Sequence, residues 1–129
     1  NFEGKAQACI DAFSRGQDFV YLHVEAPDEC GHRAETQNKI KAIESIDAQV
    51  LTPVLKALER YDDYKIMILP DHATPLSLRT HVSDPVPYLI YHKKRELASG
   101  VTCFCERTCA DTKVYFDTGY KQMDRFLAR

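Results

Sequence analysis

Hydrophobic residues recur with a helical period at the start of the chain, and a mostly apolar run follows. The first pattern predicts a helix over residues 3–15, and Gly16 suits its C-terminal cap. The predicted apolar face of this helix consists of Ala6, Cys9, Ile10 and Phe13. Residues 18–24 are mostly apolar on both faces, which is typical of a buried parallel strand. A loop is expected to follow.

The longest helical pattern runs from about Thr36 to Arg60. Its stripe comprises Ile40, Ile43, Asp47, Val50, Leu51, Val54, Leu55 and Leu58. We expect this stripe to pack in the core. Pro53 lies inside the pattern and cannot donate a helical hydrogen bond, so we expect a kink or two separate pieces.

The remaining segments predict short strands and one more helix. Residues 65–69 and 86–91 are apolar strand candidates, a weaker one lies near residues 114–116, and a helix is expected from about Thr118. Strands alternating with helices predict an α/β fold with a small, mostly parallel sheet flanked by helices. Such a small sheet would leave an edge uncovered, so self-association through that edge is also expected.

Composition narrows the class of protein. The chain has 129 residues, of which 44% are hydrophobic and 28% charged, as in one soluble domain. A net charge of −2 makes nucleic acid a poor partner, and no apolar run is long enough to cross a membrane. Five cysteines cannot all pair with one another, which favours the reducing cytoplasm. The start at Asn1 leads us to expect part of a longer protein.

Two clusters of carboxylate and imidazole side chains follow predicted strands. Asp28 and His32 follow the first strand, while Asp71 and His72 follow the second, with His81 nine residues further on. Ligands bind at the carboxyl ends of strands in open α/β sheets, so the clusters should meet in one crevice. This ligand set suits zinc, manganese and related ions. Each cluster alone is also compatible with chance spacing and structural histidines.

The surrounding residues resemble a known family. Residues 23–32 (His-Val-Glu-Ala-Pro-Asp-Glu-Cys-Gly-His) and 69–81 (Leu-Pro-Asp-His-Ala-Thr-Pro-Leu-Ser-Leu-Arg-Thr-His) are similar to the two metal-binding signatures of archaeal-type cofactor-independent phosphoglycerate mutases. Residues 82–88 continue the match, and residues 1–6 and 116–127 also resemble family segments. The resemblance covers nearly the whole chain and implies a partial alkaline-phosphatase-like domain.

The resemblance also implies two divalent ions, manganese, zinc or magnesium. By position, Asp28, His32 and His81 look like the ligands of one ion. Asp71 and His72 look like part of the shell of the other.

Further site residues are expected in the same motifs. Lys5 matches a family lysine beside the transferred phosphate, and Arg79 is a candidate to bind an anionic, phosphorylated substrate. Thr74 and Ser77 are candidates to hydrogen-bond to the ligating side chains.

The implied reaction interconverts 3-phosphoglycerate and 2-phosphoglycerate through a phosphorylated serine or threonine, as in glycolysis. The family's nucleophile, an aspartate of the second ion site and an inserted substrate domain all lie upstream of the matching segment. We therefore expect residues 1–129 to be the C-terminal segment of the metal-binding domain of an isomerase, inactive without the rest.

Alternative interpretations remain open at this point. A related phosphotransferase or phosphatase, such as a homoserine kinase-like enzyme, would share the metal motifs. A non-catalytic zinc module could instead use Cys103, Cys105 and Cys109. His92, beside three basic residues, is expected on a solvated surface.

Overall fold

A computed structural model describes residues 1–128. Its regular elements are the helices α1 (Phe2–Ser14), α2 (Ala26–His32), α3 (Thr36–Ile46), α4 (Thr52–Leu58), α5 (Glu106–Asp111) and α6 (Gln122–Leu127), and the strands β1 (Lys65–Ile68) and β2 (Leu89–His92). The chain divides into a first unit, residues 1–62 and 74–82, and a second unit, residues 63–73 and 83 onward. Each unit is described by itself.

Helix α1 begins and ends where the sequence predicts. The side chain of Asn1 accepts a hydrogen bond from the Gly4 amide at 2.8 Å, which satisfies one of the free N–H groups of the first turn. The helix ends before Gly16, whose φ of +89° is readily adopted only by glycine. Both limits of the predicted helix are therefore confirmed to within a residue.

The long helical pattern is divided as expected near Pro53. Helix α3 is followed by a π-helical turn over Asp47–Leu51, and α4 has Pro53 in its first turn. The Thr52 amide donates to the carbonyl of Asp47, one residue further back than in an α-helix. Pro53 has no backbone N–H and cannot donate the next hydrogen bond of a regular α-helix. This explains why the π-helical turn lies just before it.

Small side chains from these helices form the core of the first unit. Its buried apolar residues are Ala6 and Cys9 on α1, Ala42 on α3, Val50 in the π-helical turn and Leu58 on α4. Helix α1 contacts both the π-helical turn and α4. Ile40 and Ile43 are 46% and 54% exposed, so the prediction that the whole stripe packs in the core is wrong for its first part.

The strand expected over residues 18–24 is also wrong. Most of this segment has no regular structure, and the helix α2 follows where a loop was expected. A strand needs a hydrogen-bonded neighbour, and no strand of residues 1–128 pairs with it. Pro27 fits the first turn of α2, where its missing N–H costs nothing.

The second unit contains a two-stranded antiparallel sheet. Strands β1 and β2 pair in the register Lys65 with His92 through Ile68 with Leu89. The expected mostly parallel sheet is thus not found in the described part of the chain. Parallel pairing requires a crossover, usually through a helix, and no helix lies between these two strands.

The tail of the second unit combines one wrong prediction with one that is confirmed. Residues 114–116 form no strand, whereas a 3-10 turn at Gly119–Lys121 leads into α6 as expected. Short helix α5 carries no clear periodic signal and was not predicted. Over residues 1–128, none of the helices combines the length and apolar character needed to cross a bilayer.

Candidate metal centre

Three of the predicted ligands converge in the first unit. Asp28 and His32 lie one turn apart on α2, so both side chains emerge on the same face of that helix. His81 comes from the segment of residues 74–82 and brings its ring to 4.9 Å from the ring of His32. One donor atom from each of the three residues lies within 4.8 Å of the others.

The distances between donor atoms suit a single ion. His32 Nε2 lies 3.1 Å from His81 Nε2 and 3.4 Å from Asp28 Oδ2, and His81 Nε2 lies 3.3 Å from Asp28 Oδ1. Ligands about 2.1 Å from a shared ion stand about 3.0 Å apart in octahedral and about 3.4 Å apart in tetrahedral coordination. The donor set therefore fits a divalent cation, while its spacing accommodates either geometry.

The orientation of His32 depends on a backbone carbonyl that sequence reasoning missed. His32 Nδ1 lies 2.9 Å from the carbonyl oxygen of Arg79, an acceptor for the Nδ1 proton. This bond leaves the lone pair of Nε2 facing Asp28 and His81. Arg79 has a φ of +55°, an uncommon value for a residue with a side chain, and its amide donates to the carbonyl of Pro75 at 2.9 Å.

The hydroxyl of Thr74 holds the candidate ligand Asp28. It donates to Asp28 Oδ1 at 2.5 Å, so the expected hydrogen bond to a ligating side chain is present. Thr74 is only 5% exposed, and its carbonyl oxygen accepts from Lys39 Nζ at 2.7 Å. Ser77, the other candidate for this role, is exposed.

Gly31 permits the close approach of α2 to this segment. A Cβ atom at Gly31 would lie 2.7 Å from the carbonyl oxygen of Thr74 and 2.9 Å from its methyl carbon. These distances are too short for carbon atoms, so position 31 requires glycine for packing rather than for conformational freedom. The approach of the helix to Thr74 is what allows Asp28 to receive its hydrogen bond.

The cluster is open to solvent on one side. The side chains of Asp28, His32 and His81 are 31%, 38% and 52% exposed. Three protein ligands with solvent access are typical of catalytic metal sites, whereas structural zinc sites are closed by four protein ligands.

Asp71 and His72 belong to the second unit and follow β1. The His72 amide donates to Asp71 Oδ1 at 3.2 Å, and His72 Nε2 lies 3.5 Å from Asp71 Oδ2. The Asp71 carboxylate is 57% exposed and His72 is 28% exposed. Asp71 and His72 thus contact each other just after β1, and their expected role at a second ion stays a prediction.

Lys5 is exposed on α1 and borders two shallow pockets of the first unit. One pocket is lined by Val20, Tyr21, Leu22 and His23, and the other by Val24, Glu25 and Ala26. Lys5 therefore lies beside the segment that leads into α2.

The three cysteines of the second unit do not make a comparable cluster. Within residues 1–128, three converging metal donors occur only at Asp28, His32 and His81. The sulfur atoms of Cys103, Cys105 and Cys109 are thus not grouped as a ligand set, which leaves the zinc-module interpretation without geometric support.

Comparison with protein families agrees with this donor set. The family described as the metalloenzyme superfamily matches residues 1–113, most of the chain and all the candidate ligands. The chain belongs to the metalloenzyme superfamily. Membership implies binding of divalent metal, in agreement with the three converging donors.

Several relatives carry a more specific name. The chain is 39% identical over its full length to a "Probable 2,3-bisphosphoglycerate-independent phosphoglycerate mutase" from Geobacter sulfurreducens, of which it covers 32%. It is 45% identical over 84% of its length to the "2,3-bisphosphoglycerate-independent phosphoglycerate mutase" of Methanosarcina acetivorans, covering 27% of that protein. The chain therefore spans about a third or less of these relatives. No solved structure matches it significantly.

Proposed function

We propose that this chain is the C-terminal, metal-binding segment of a 2,3-bisphosphoglycerate-independent phosphoglycerate mutase, a glycolytic isomerase that interconverts 3-phosphoglycerate and 2-phosphoglycerate. The observation that carries the proposal is the convergence of Asp28, His32 and His81. These residues lie in a segment that is 39% and 45% identical to relatives bearing that name.

In this proposal, Asp28, His32 and His81 hold one divalent ion. A bound ion neutralises charge on the transferring phosphoryl oxygens and helps to activate the attacking hydroxyl. The carbonyl of Arg79 keeps the proton of His32 on Nδ1, so that Nε2 can bind the metal. The hydroxyl of Thr74 fixes the rotation of the Asp28 carboxylate.

Asp71 and His72 are proposed to contribute to the second ion, and Lys5 and Arg79 to bind the phosphorylated substrate. Both cationic side chains are exposed, which an anionic substrate requires. Manganese, zinc and magnesium all suit a set of carboxylates and imidazoles. We place the reaction in the cytoplasm, where the free cysteines would stay reduced.

The nucleophile is proposed to lie in the part of the full-length enzyme that this chain does not cover. The chain spans 32% of the Geobacter relative and 27% of the Methanosarcina relative, which leaves room for the upstream half and a substrate domain. By itself, the 129-residue chain should bind metal and show no mutase turnover.

Self-association through the small sheet is a further part of the proposal. Strands β1 and β2 pair with each other, and each has one edge without a partner strand among the described residues. Exposed edges can pair with a second chain. Sedimentation of the chain over a range of concentrations would reveal a dimer, whereas a monomer at all concentrations would contradict this part.

Metal titration tests the site directly. The chain, stripped of metal, should bind about one manganese or zinc ion at the first site. The His81→Ala variant should lose that binding, because it removes one of three ligands. His23→Ala is the matched control, since the His23 side chain is 47% exposed and outside the cluster. Equal binding by all three proteins would refute the assignment.

Activity must be tested in a full-length protein that carries this segment. We expect interconversion of the two phosphoglycerates, and its loss in Asp28→Ala. Arg79→Ala should raise KM for phosphoglycerate while leaving metal affinity unchanged, because the carbonyl that orients His32 remains. Phosphorylation of homoserine without mutase activity would instead support the homoserine kinase-like alternative.

A further inference from the structure

Lys39 is a charged residue beside the candidate metal centre that is not itself a ligand. It lies in the first turn of α3 and is half-buried. Its ammonium nitrogen Nζ donates a hydrogen bond of 2.7 Å to the backbone carbonyl oxygen of Thr74, which is 35 residues further along the chain. This bond joins α3 to the start of the segment of residues 74–82, which carries the candidate ligand His81.

The stability of α3 does not explain why a lysine stands at this position. The N-terminus of a helix carries a partial positive charge, so a cation in the first turn is unfavourable. No acidic residue lies in the first turn of α3 to offset that charge. Glu35, just before the helix, accepts a hydrogen bond from Asn38 at 2.8 Å. The contact with Thr74 is therefore the interaction that this lysine gains.

The geometry of the two helices directs Lys39 towards the metal centre. Side chains lean towards the N-terminus of their own helix, and for Lys39 that is the side on which α2 precedes α3. Gly31 of α2 leaves the space that the ammonium group needs, because a Cβ atom there would lie 3.0 Å from Lys39 Nζ. The lysine therefore reaches the Thr74 carbonyl alongside α2.

Fixing Thr74 affects all three candidate ligands. The Thr74 hydroxyl donates to Asp28 Oδ1 at 2.5 Å. The turn that follows Thr74 ends at Arg79, whose carbonyl oxygen lies 2.9 Å from His32 Nδ1. His81 comes two residues later. One anchor at the start of this segment thus helps to set the positions of a carboxylate and two imidazoles.

The lysine bond differs from the other contacts of this segment because it uses no ligand atom. The bond from Thr74 involves the carboxylate of Asp28, and the bond to the Arg79 carbonyl involves the imidazole of His32. Lys39 instead joins an ammonium group to a backbone carbonyl. This bond can form whether or not an ion is bound.

We propose that Lys39 is a positioning residue for the metal centre, which holds residues 74–82 against α2 and so brings the three donor atoms together before the ion binds. This inference rests on the proposed ion site of Asp28, His32 and His81. A site that is assembled for only part of the time binds its ion more weakly, in proportion to that fraction. Loss of the lysine bond should therefore weaken metal binding although every ligand remains.

Metal titration of the full chain measures this effect. Lys39→Met keeps a long apolar side chain of similar helix propensity but removes the donor. We expect its manganese affinity to fall about tenfold, and Lys39→Arg, which restores a charged donor, to recover most of the loss. Lys41→Met is the matched control, since Lys41 is an exposed lysine of the same helix. Unchanged affinity in Lys39→Met, or an equal loss in Lys41→Met, would overturn the proposal.

The tautomer of His32 in the metal-free chain gives a second readout that does not depend on metal. Nitrogen NMR of the neutral imidazole distinguishes a proton on Nδ1 from one on Nε2. The original chain should show the Nδ1 form, held by the carbonyl of Arg79. Lys39→Met should show a mixture of both forms, whereas Lys41→Met should resemble the original chain. An unchanged signal in Lys39→Met would contradict the positioning role.

Two further measurements separate the possible failures. Urea denaturation tests for a purely structural role, and a lower midpoint in Lys39→Met with unchanged manganese affinity of the folded chain would overturn the proposal. Lys39→Gln, whose side chain is too short to replace the lysine, serves in both assays if the methionine variant does not fold. If the original chain binds no metal, the proposed ion site fails, and the His32 signal then decides the role of Lys39.

Discussion

Gly31 is the position where one added carbon atom should disturb the candidate metal centre most. In Gly31→Ala, the new Cβ atom would lie 2.7 Å from the carbonyl oxygen of Thr74 and 3.0 Å from Lys39 Nζ. The flexible Lys39 side chain can move its ammonium group away, but the Thr74 carbonyl oxygen belongs to the backbone and cannot move alone. Helix α2 and the segment that starts at Thr74 must therefore separate.

The size of the effect follows from this contact. An ordinary carbon–oxygen contact is about 3.3 Å, so a separation of about 0.6 Å is needed. Overpacking of this kind costs about 1–3 kcal/mol, and distortion of the charged Asp28–Thr74 hydrogen bond adds about 1 kcal/mol or more. Alanine has a higher helix propensity than glycine, which offsets about 1 kcal/mol of this loss. We expect a net loss of about 2 kcal/mol in the free energy of unfolding.

Urea denaturation and metal titration measure the two consequences. With a slope of about 2 kcal/mol per molar urea, the midpoint should fall by about 1 M, and manganese affinity should fall about tenfold or more. Gly119→Ala is the control, since nothing lies within 4 Å of its added carbon. A Gly31→Ala chain as stable as the original, with unchanged affinity, would refute the argument that this contact sets the site.

Two further predictions concern single hydrogen bonds. Thr74→Val should weaken manganese binding about 10- to 100-fold, because Asp28 loses the hydrogen-bond donor that fixes its carboxylate. The control is Thr80→Val at an exposed neighbouring position, which should have little effect in the same titration. His92 lies 2.9 Å from Asp63 and lowers its pKa below the ordinary 3.8. That stabilisation is present above pH 3.8 and is lost as the pH falls through the lowered pKa. In His92→Ala, the Asp63 pKa measured by carboxyl NMR should therefore rise towards its ordinary value, and an unchanged pKa would contradict the pairing.

Local signals predicted those elements that depend on neighbouring residues. Asn1, Gly16 and Pro53 act within one or two turns of their own helices, so their effects are visible in the sequence. The expected strand over residues 18–24 failed because a strand depends on a partner elsewhere. His92 was expected on a solvated surface, yet its side chain is only 16% exposed and paired with Asp63.

The part of the candidate site that consists of side-chain ligands was predictable from the sequence. Asp28, His32 and His81 were found from residue type and motif, and the structure brings their donor atoms together. The carbonyl that orients His32 could not be found in this way, because every residue carries one. Only the fold shows that the carbonyl of Arg79 is the one that faces the imidazole.

The π-helical turn at Asp47–Leu51 gives the first unit a tolerance to changes in chain length. Such a turn is equivalent to an α-helix with one residue inserted. Removing one residue there can restore regular helical hydrogen bonds without shortening α3 or α4. Related proteins can thus gain or lose a residue at this point, far along the chain from α2, while the helix that carries Asp28 and His32 keeps its own register.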